Sequence, residues 1–94
     1  MMAYQYTVFI RKDPETDYWI DCPDLPGCIA TGKTIDEAKA QFADAIHFHL
    51  VGVKDQEKGY KLPVPRSRKQ ILAEEEDAYL EAYTVTVDEP LMTQ

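Results

Sequence analysis

Ninety-four residues, 45% of them hydrophobic, make one small domain with enough apolar material for a core. No apolar run approaches the ~20 residues of a membrane span, and Met1-Met2-Ala3-Tyr4-Gln5-Tyr6 lacks the basic start and apolar block of a signal peptide, so a cytoplasmic single domain over residues 1–94 is expected. The net charge of −7 is uneven: ten basic and ten acidic side chains balance as far as Ile71, and the excess lies in Glu74, Glu75, Glu76, Asp77, Glu81, Asp88 and Glu89, which disfavours nonspecific nucleic-acid binding and favours a basic partner.

Tyr4, Tyr6, Val8 and Ile10 alternate with Gln5, Thr7, Phe9 and Arg11, the period of a strand. The polar stretch Lys12-Asp13-Pro14-Glu15-Thr16-Asp17 reads as a hairpin loop, and Tyr18-Trp19-Ile20-Asp21-Cys22 returns as a second strand. Pro23 and Pro26 then fix φ and remove two backbone donors, so Pro23-Asp24-Leu25-Pro26-Gly27-Cys28 cannot pair as a central strand. Gly27 permits the positive φ of a type II turn after Pro26. Cys28 to Gly32 reads as a brief third strand, completing an antiparallel meander.

From Ile35 the period becomes helical. Thr34 and Glu37 form a reciprocal cap, the Thr34 hydroxyl accepting from the Glu37 N–H while the Glu37 carboxylate reaches back. Ile35, Ala38, Phe42, Ala45, Ile46, His49, Leu50 and Val53 share one stripe, predicting a helix over 35–53 that covers the sheet and decays near Gly52. A polar linker follows from Asp55, extended through Leu62-Pro63-Val64-Pro65. Ser67 and Gln70 signal a short helix over 68–75, whose Arg68 and Lys69 oppose its macrodipole. Tyr79, Leu80, Tyr83, Val85 and Val87 predict a fourth strand over 78–87. The order β-β-β-α-(α)-β is α+β.

Candidate chemistry is sparse. Cys22 and Cys28 lie too far apart in sequence for a zinc knuckle, and His47 and His49 sit about 200° apart around a helix, so no metal site is expected. The two cysteines read as unbridged thiols, at least one of them buried. Asp13, Asp17, Asp21 and Asp24 raise two-metal hydrolysis, but nothing in the spacing makes them converge. No nucleophile motif or glycine-rich phosphate loop is present. No catalytic residue and no cofactor are expected. The basic segment from Lys58 to Lys69 reads as a solvated linker rather than a phosphate contact.

Tyr6-Thr7-Val8, Tyr18-Trp19-Ile20, Pro23-Asp24-Leu25-Pro26-Gly27-Cys28, Thr31-Gly32 and Thr34-Ile35-Asp36-Glu37-Ala38 together resemble the HicB antitoxin family, over nearly the whole chain. The resemblance implies a partial RNase H-like fold of three antiparallel strands plus a fourth. It implies a task too: binding and silencing HicA, a small basic ribonuclease that cleaves messenger RNA. Many HicB proteins carry a C-terminal DNA-binding domain; this sequence ends at Gln94 just after the fourth strand, so direct operator binding by this chain is not expected. An RNase H-like shape also raises a metal-dependent nuclease, and an orphan interaction domain without a toxin is a further alternative. The mechanism expected is occlusion, with carboxylates set against the cationic surface an RNA-cleaving enzyme must present. Glu74, Glu75, Glu76, Asp77 and Glu81 are the first candidates for partner contact. Asp13, Glu15 and Asp17 come second, with Tyr18 and Trp19 as aromatic anchors if exposed. The small core and exposed strand edges predict a homo-oligomer.

Overall fold

The computed structural model describes residues 2–56 and 62–89. Its elements are β1 (Met2–Arg11), β2 (Tyr18–Asp21), β3 (Ile29–Gly32), α1 (Ile35–Gln56), α2 (Arg68–Glu74) and β4 (Glu81–Glu89). The strands form one antiparallel sheet in the order β3-β2-β1-β4. The α+β order expected from the sequence is the observed one, and the fourth strand joins the meander beside the first.

The two faces of the sheet are covered differently. Tyr6, Val8 and Ile10 of β1, Ile20 of β2 and Ala30 of β3 bury against Ala38, Phe42, Ile46 and Leu50 of α1. This is the helical stripe predicted above. Val87 lies opposite Tyr4, Val85 opposite Tyr6 and Tyr83 opposite Val8, so these three add to the same face. The alternate residues Thr7, Phe9 and Arg11 point the other way, yet they are buried too. There α2 packs on β1, and the Tyr79 ring lies 4.5 Å from that of Phe9. Because α2 lies over β1, the part of that face formed by β2 and β3 keeps Trp19 half-buried and leaves Ile29 exposed.

Local signals explain the corners. The Leu25 N–H donates to Cys22 O and the Cys28 N–H to Leu25 O, both at 3.1 Å, giving two successive turns with Gly27 at φ 92°. A Cβ on Gly32 would fall 2.4 Å from the Ala38 nitrogen, so glycine lets β3 run directly under the start of α1. The Glu37 N–H donates to the Thr34 hydroxyl at 3.0 Å, but the Glu37 carboxylate accepts from the Lys33 N–H, one residue earlier than the expected cap. Ser67 caps α2 by accepting from the Gln70 N–H at 3.1 Å.

Several boundaries differ from expectation by a few residues, and three of the differences are informative. α1 continues through Gly52 to Gln56; a single glycine weakens a helix by only about 1 kcal/mol and does not end it without a C-cap geometry. α2 stops at Glu74, with Glu75 as its extended C-cap. β4 begins at Glu81 rather than at residue 78, which moves Tyr79 and Leu80 out of the strand into the connection before it. Lys58 and Lys61 of the basic segment lie outside the described residues.

Candidate functional site

The last residue of β1 organises the covered end of the outer face. Arg11 leaves the sheet beside Asp21, and its Nε and Nη2 donate to the two Asp21 carboxylate oxygens at 2.8 and 3.4 Å. Nη2 also donates to Glu75 Oε1 at 3.0 Å, and Nη1 to the Ala78 carbonyl at 3.3 Å. The guanidinium carbon stands 4.9 Å from the centre of the Phe9 ring. Burial alone would lower the Arg11 pKa, but the bonds and charges of Asp21 and Glu75 outweigh it and raise the pKa. The Arg11 hydrogen bond holds the Glu75 carboxyl below its ordinary value against the opposing effect of burial, with further help from the Asp77 N–H, which donates at 3.1 Å. One cation thus ties β1, β2 and the α2–β4 connection together.

Beside this cluster opens a groove of about 610 Å³. It is lined by Arg11, Lys12 and Asp13 from the end of β1 and the loop after it, by Trp19, Asp21 and Pro23 from β2 and the corner that follows, and by Glu75, Asp77, Ala78, Tyr79 and Leu80 from the α2–β4 connection. Tyr79 and Leu80 are 40% and 58% exposed, unusual for large apolar side chains so close together.

The structure divides the candidate acids. Glu74 is engaged within the chain, accepting from Arg66 Nη1 at 2.7 Å and from Gln70 Nε2 at 3.1 Å. Glu75 is engaged by Arg11. Glu76, Asp77 and Glu81 are exposed, as are Asp13, Glu15 and Asp17 in the β1–β2 loop. Asp13 and Asp77, from the two separate groups, line the same groove; Glu15, Asp17, Glu76 and Glu81 do not. Tyr18 packs against the α1-side core, whereas Trp19 lies at the groove. Sequence reasoning missed Tyr79, Leu80 and Arg11. The one available signal was an arginine directly after the apolar run Val8-Phe9-Ile10.

A second clamp fixes the proline corner. Asp24 accepts from the Arg66 backbone N–H at 2.8 Å and from Arg66 Nε at 2.7 Å, strapping the segment before α2 across residues 22–28. Asp21 and Asp24, two of the four acids that raised two-metal hydrolysis, are therefore each bound to a different arginine. Among the described residues no group of three or more His, Cys, Asp or Glu is placed to hold a metal. Cys22 and Cys28 are free and both buried. Burial pushes their thiols up to about 12 and about 11 respectively. His49 is half-buried, its Cε1 lying 3.0 Å from where a Gly27 Cβ would stand, while His47 is exposed.

Known structures place this architecture first as a fold. It matches the N-terminal domain of the Burkholderia pseudomallei antitoxin HicB with a TM-score of 0.75 and 25% identity, over 89% of this chain and 98% of that one. A chain of the HicA3 and HicB3 toxin–antitoxin complex matches with a TM-score of 0.56 and 23% identity, over 89% of this chain and 95% of that one. The sequence gives the family: residues 6–94 match the HicB-like antitoxin of bacterial toxin–antitoxin systems, and the chain belongs to that family. A UPF0150 protein of Thermoplasma acidophilum is 40% identical over 50 residues, 53% of this chain and 72% of that protein.

Proposed function

We propose that this protein is an antitoxin that binds a small basic HicA-type ribonuclease and inhibits it by covering its active site, with no catalysis of its own. The observation that carries this reading is the family match over residues 6–94, supported by the fold shared with a chain of a toxin–antitoxin complex. Physical chemistry supports it as well. An enzyme that cleaves RNA must present positive charge to phosphates, and a chain of net charge −7 is drawn to such a surface and can mask it. The exposed acids Glu76, Asp77, Glu81, Asp13, Glu15 and Asp17 are the groups available for that contact, whereas Glu74 and Glu75 serve mainly to hold the scaffold. The protein acts as a single domain in the cytoplasm. It self-associates through an outer strand of the sheet, since β3 and β4 each have a neighbour on one side only.

Co-expression with a HicA-type toxin tests the proposal. Growth should recover and the two chains should co-purify. Persistent growth arrest with both proteins soluble would overturn the reading and leave an orphan interaction domain. Light scattering should give a mass above the 10.8 kDa of one chain; a monomer at every concentration would remove the self-association.

A further inference from the structure

We infer that the groove between the β1–β2 loop and the α2–β4 connection is the surface that receives the partner, and that its occupant is a cationic protein segment. An arginine or lysine of the partner lies against Trp19, Tyr79 and Leu80 with its charge between Asp13 and Asp77. The inference rests on the antitoxin reading and adds to it the face and the chemistry of contact.

Four observations converge on this groove. First, its apolar part is accessible: Tyr79 and Leu80 are exposed, Trp19 is half-buried, and Ile29 continues the same sheet face, lying opposite Asp21 in the ladder. Aromatic rings attract a cation through their faces, and arginine–aromatic contacts are frequent binding hot spots. Second, the lining carries four carboxylates, Asp13, Asp21, Glu75 and Asp77, against two cations. Arg11 is committed to Asp21 and Glu75, and Lys12 Nζ turns back to donate to the Asp13 and Thr16 carbonyls at 3.1 and 2.8 Å. Asp13 and Asp77 are thereby left to face an incoming charge.

Third, the walls are organised before any partner arrives. Glu75 holds the Asp77 N–H, Arg11 holds the Ala78 carbonyl, and the Leu80 N–H donates to the Ile10 carbonyl at 2.7 Å. A surface already ordered loses little conformational entropy on binding. Fourth, the rival surfaces have the wrong chemistry. A second groove, about 390 Å³, is lined by Arg66 and Arg68 with no carboxylate. Phe48 is exposed on α1 well outside both grooves, a single apolar side chain. A second copy of this chain would bring −7 of like charge to an acidic groove, so a basic protein is the favoured occupant.

The test uses the full chain and a purified HicA-type toxin, with affinity measured by titration calorimetry at physiological salt. Asp13→Lys/Asp77→Lys should weaken binding at least about tenfold, and Leu80→Ala by about fivefold, the range of a central interface position. Asp44→Lys/Asp88→Lys makes the same charge change at exposed positions away from the groove and should alter affinity less than about threefold. All these side chains are exposed, and unchanged melting temperatures will confirm folding. Tight wild-type binding that the groove variants leave within threefold would overturn this inference alone. No wild-type binding would remove the antitoxin reading, and the inference with it. A dimer of the wild-type chain that the groove variants dissolve would assign the groove to a second copy and overturn the proposal.

Discussion

Replacing Arg11 with methionine is the sharpest test of what holds the outer face together. Methionine keeps an unbranched apolar side chain and removes the guanidinium, so Asp21 and Glu75 lose their shared cation, the Ala78 carbonyl loses a donor and Phe9 loses its cation contact. Breaking one partner of a fully buried pair costs about 3–5 kcal/mol, whereas exposed pairs are worth about 0–1 kcal/mol. The side chains of Arg11, Glu75 and Asp21 are 8%, 14% and 35% exposed, so the cluster is dry at one end and wet at the other. A loss of about 2 kcal/mol is expected, or roughly 10 °C in melting temperature for a domain this size. Glu75→Gln should cost less alone, and in the Arg11→Met background it should cost nothing or restore stability, because it removes the stranded charge. Circular dichroism melts of the two single variants and the double variant close the cycle. The sign with pH follows from Glu75. Its folded pKa lies below the ordinary 4.5, so its contribution is present above that pH and disappears as pH falls toward the depressed value. The gap between wild type and Glu75→Gln should therefore narrow in acid. Additive effects in the cycle, or an Arg11→Met variant that melts within about 2 °C of wild type, would refute the reasoning.

Two glycines should respond in opposite directions to alanine. Gly32→Ala drives a Cβ to within 2.4 Å of a backbone nitrogen and should cost about 2 kcal/mol in urea denaturation. Gly52→Ala meets nothing within 4 Å inside a helix and should stabilise by about 0.5–1 kcal/mol; equal shifts for both would contradict the packing described. The folded protein should not react with DTNB at pH 8, because both thiols are buried with pKa values near 11 and 12, and both should react in denaturant; rapid labelling without denaturant would show the corner to be open. Asp24→Asn removes the charge that binds Arg66 and should speed protease cleavage in residues 62–67 while leaving the far-ultraviolet spectrum unchanged. An unaltered cleavage rate would show that the strap does not depend on that ion pair.

Local chemistry was legible in the sequence wherever it acts over a few residues. Pro26 and Gly27 specify their turn, Thr34 and Ser67 specify where helices start, and the stripe from Ala38 to Leu50 specifies the face of α1. The groove was not legible, because it is built from residues distant in the chain. Arg11 is 64 positions from Glu75, and nothing local in either residue announces the other. Phe9 and Arg11 fell on what alternation marks as the polar face, but α2 returns to cover it. Tyr79 and Leu80 read as strand residues because apolar periodicity does not reveal where pairing begins. The two groups of acids were visible, although only the folded sheet shows that Asp13 and Asp77 share one groove.

The most direct test of masking is a titration of RNA cleavage. A HicA-type toxin at fixed concentration is mixed with increasing amounts of this chain, and the cleavage rate is followed on a labelled transcript. Cleavage should fall linearly to background once every toxin molecule is bound, and the chain alone should cut nothing. Full cleavage in the presence of excess chain, or cutting by the chain without toxin, would contradict the account.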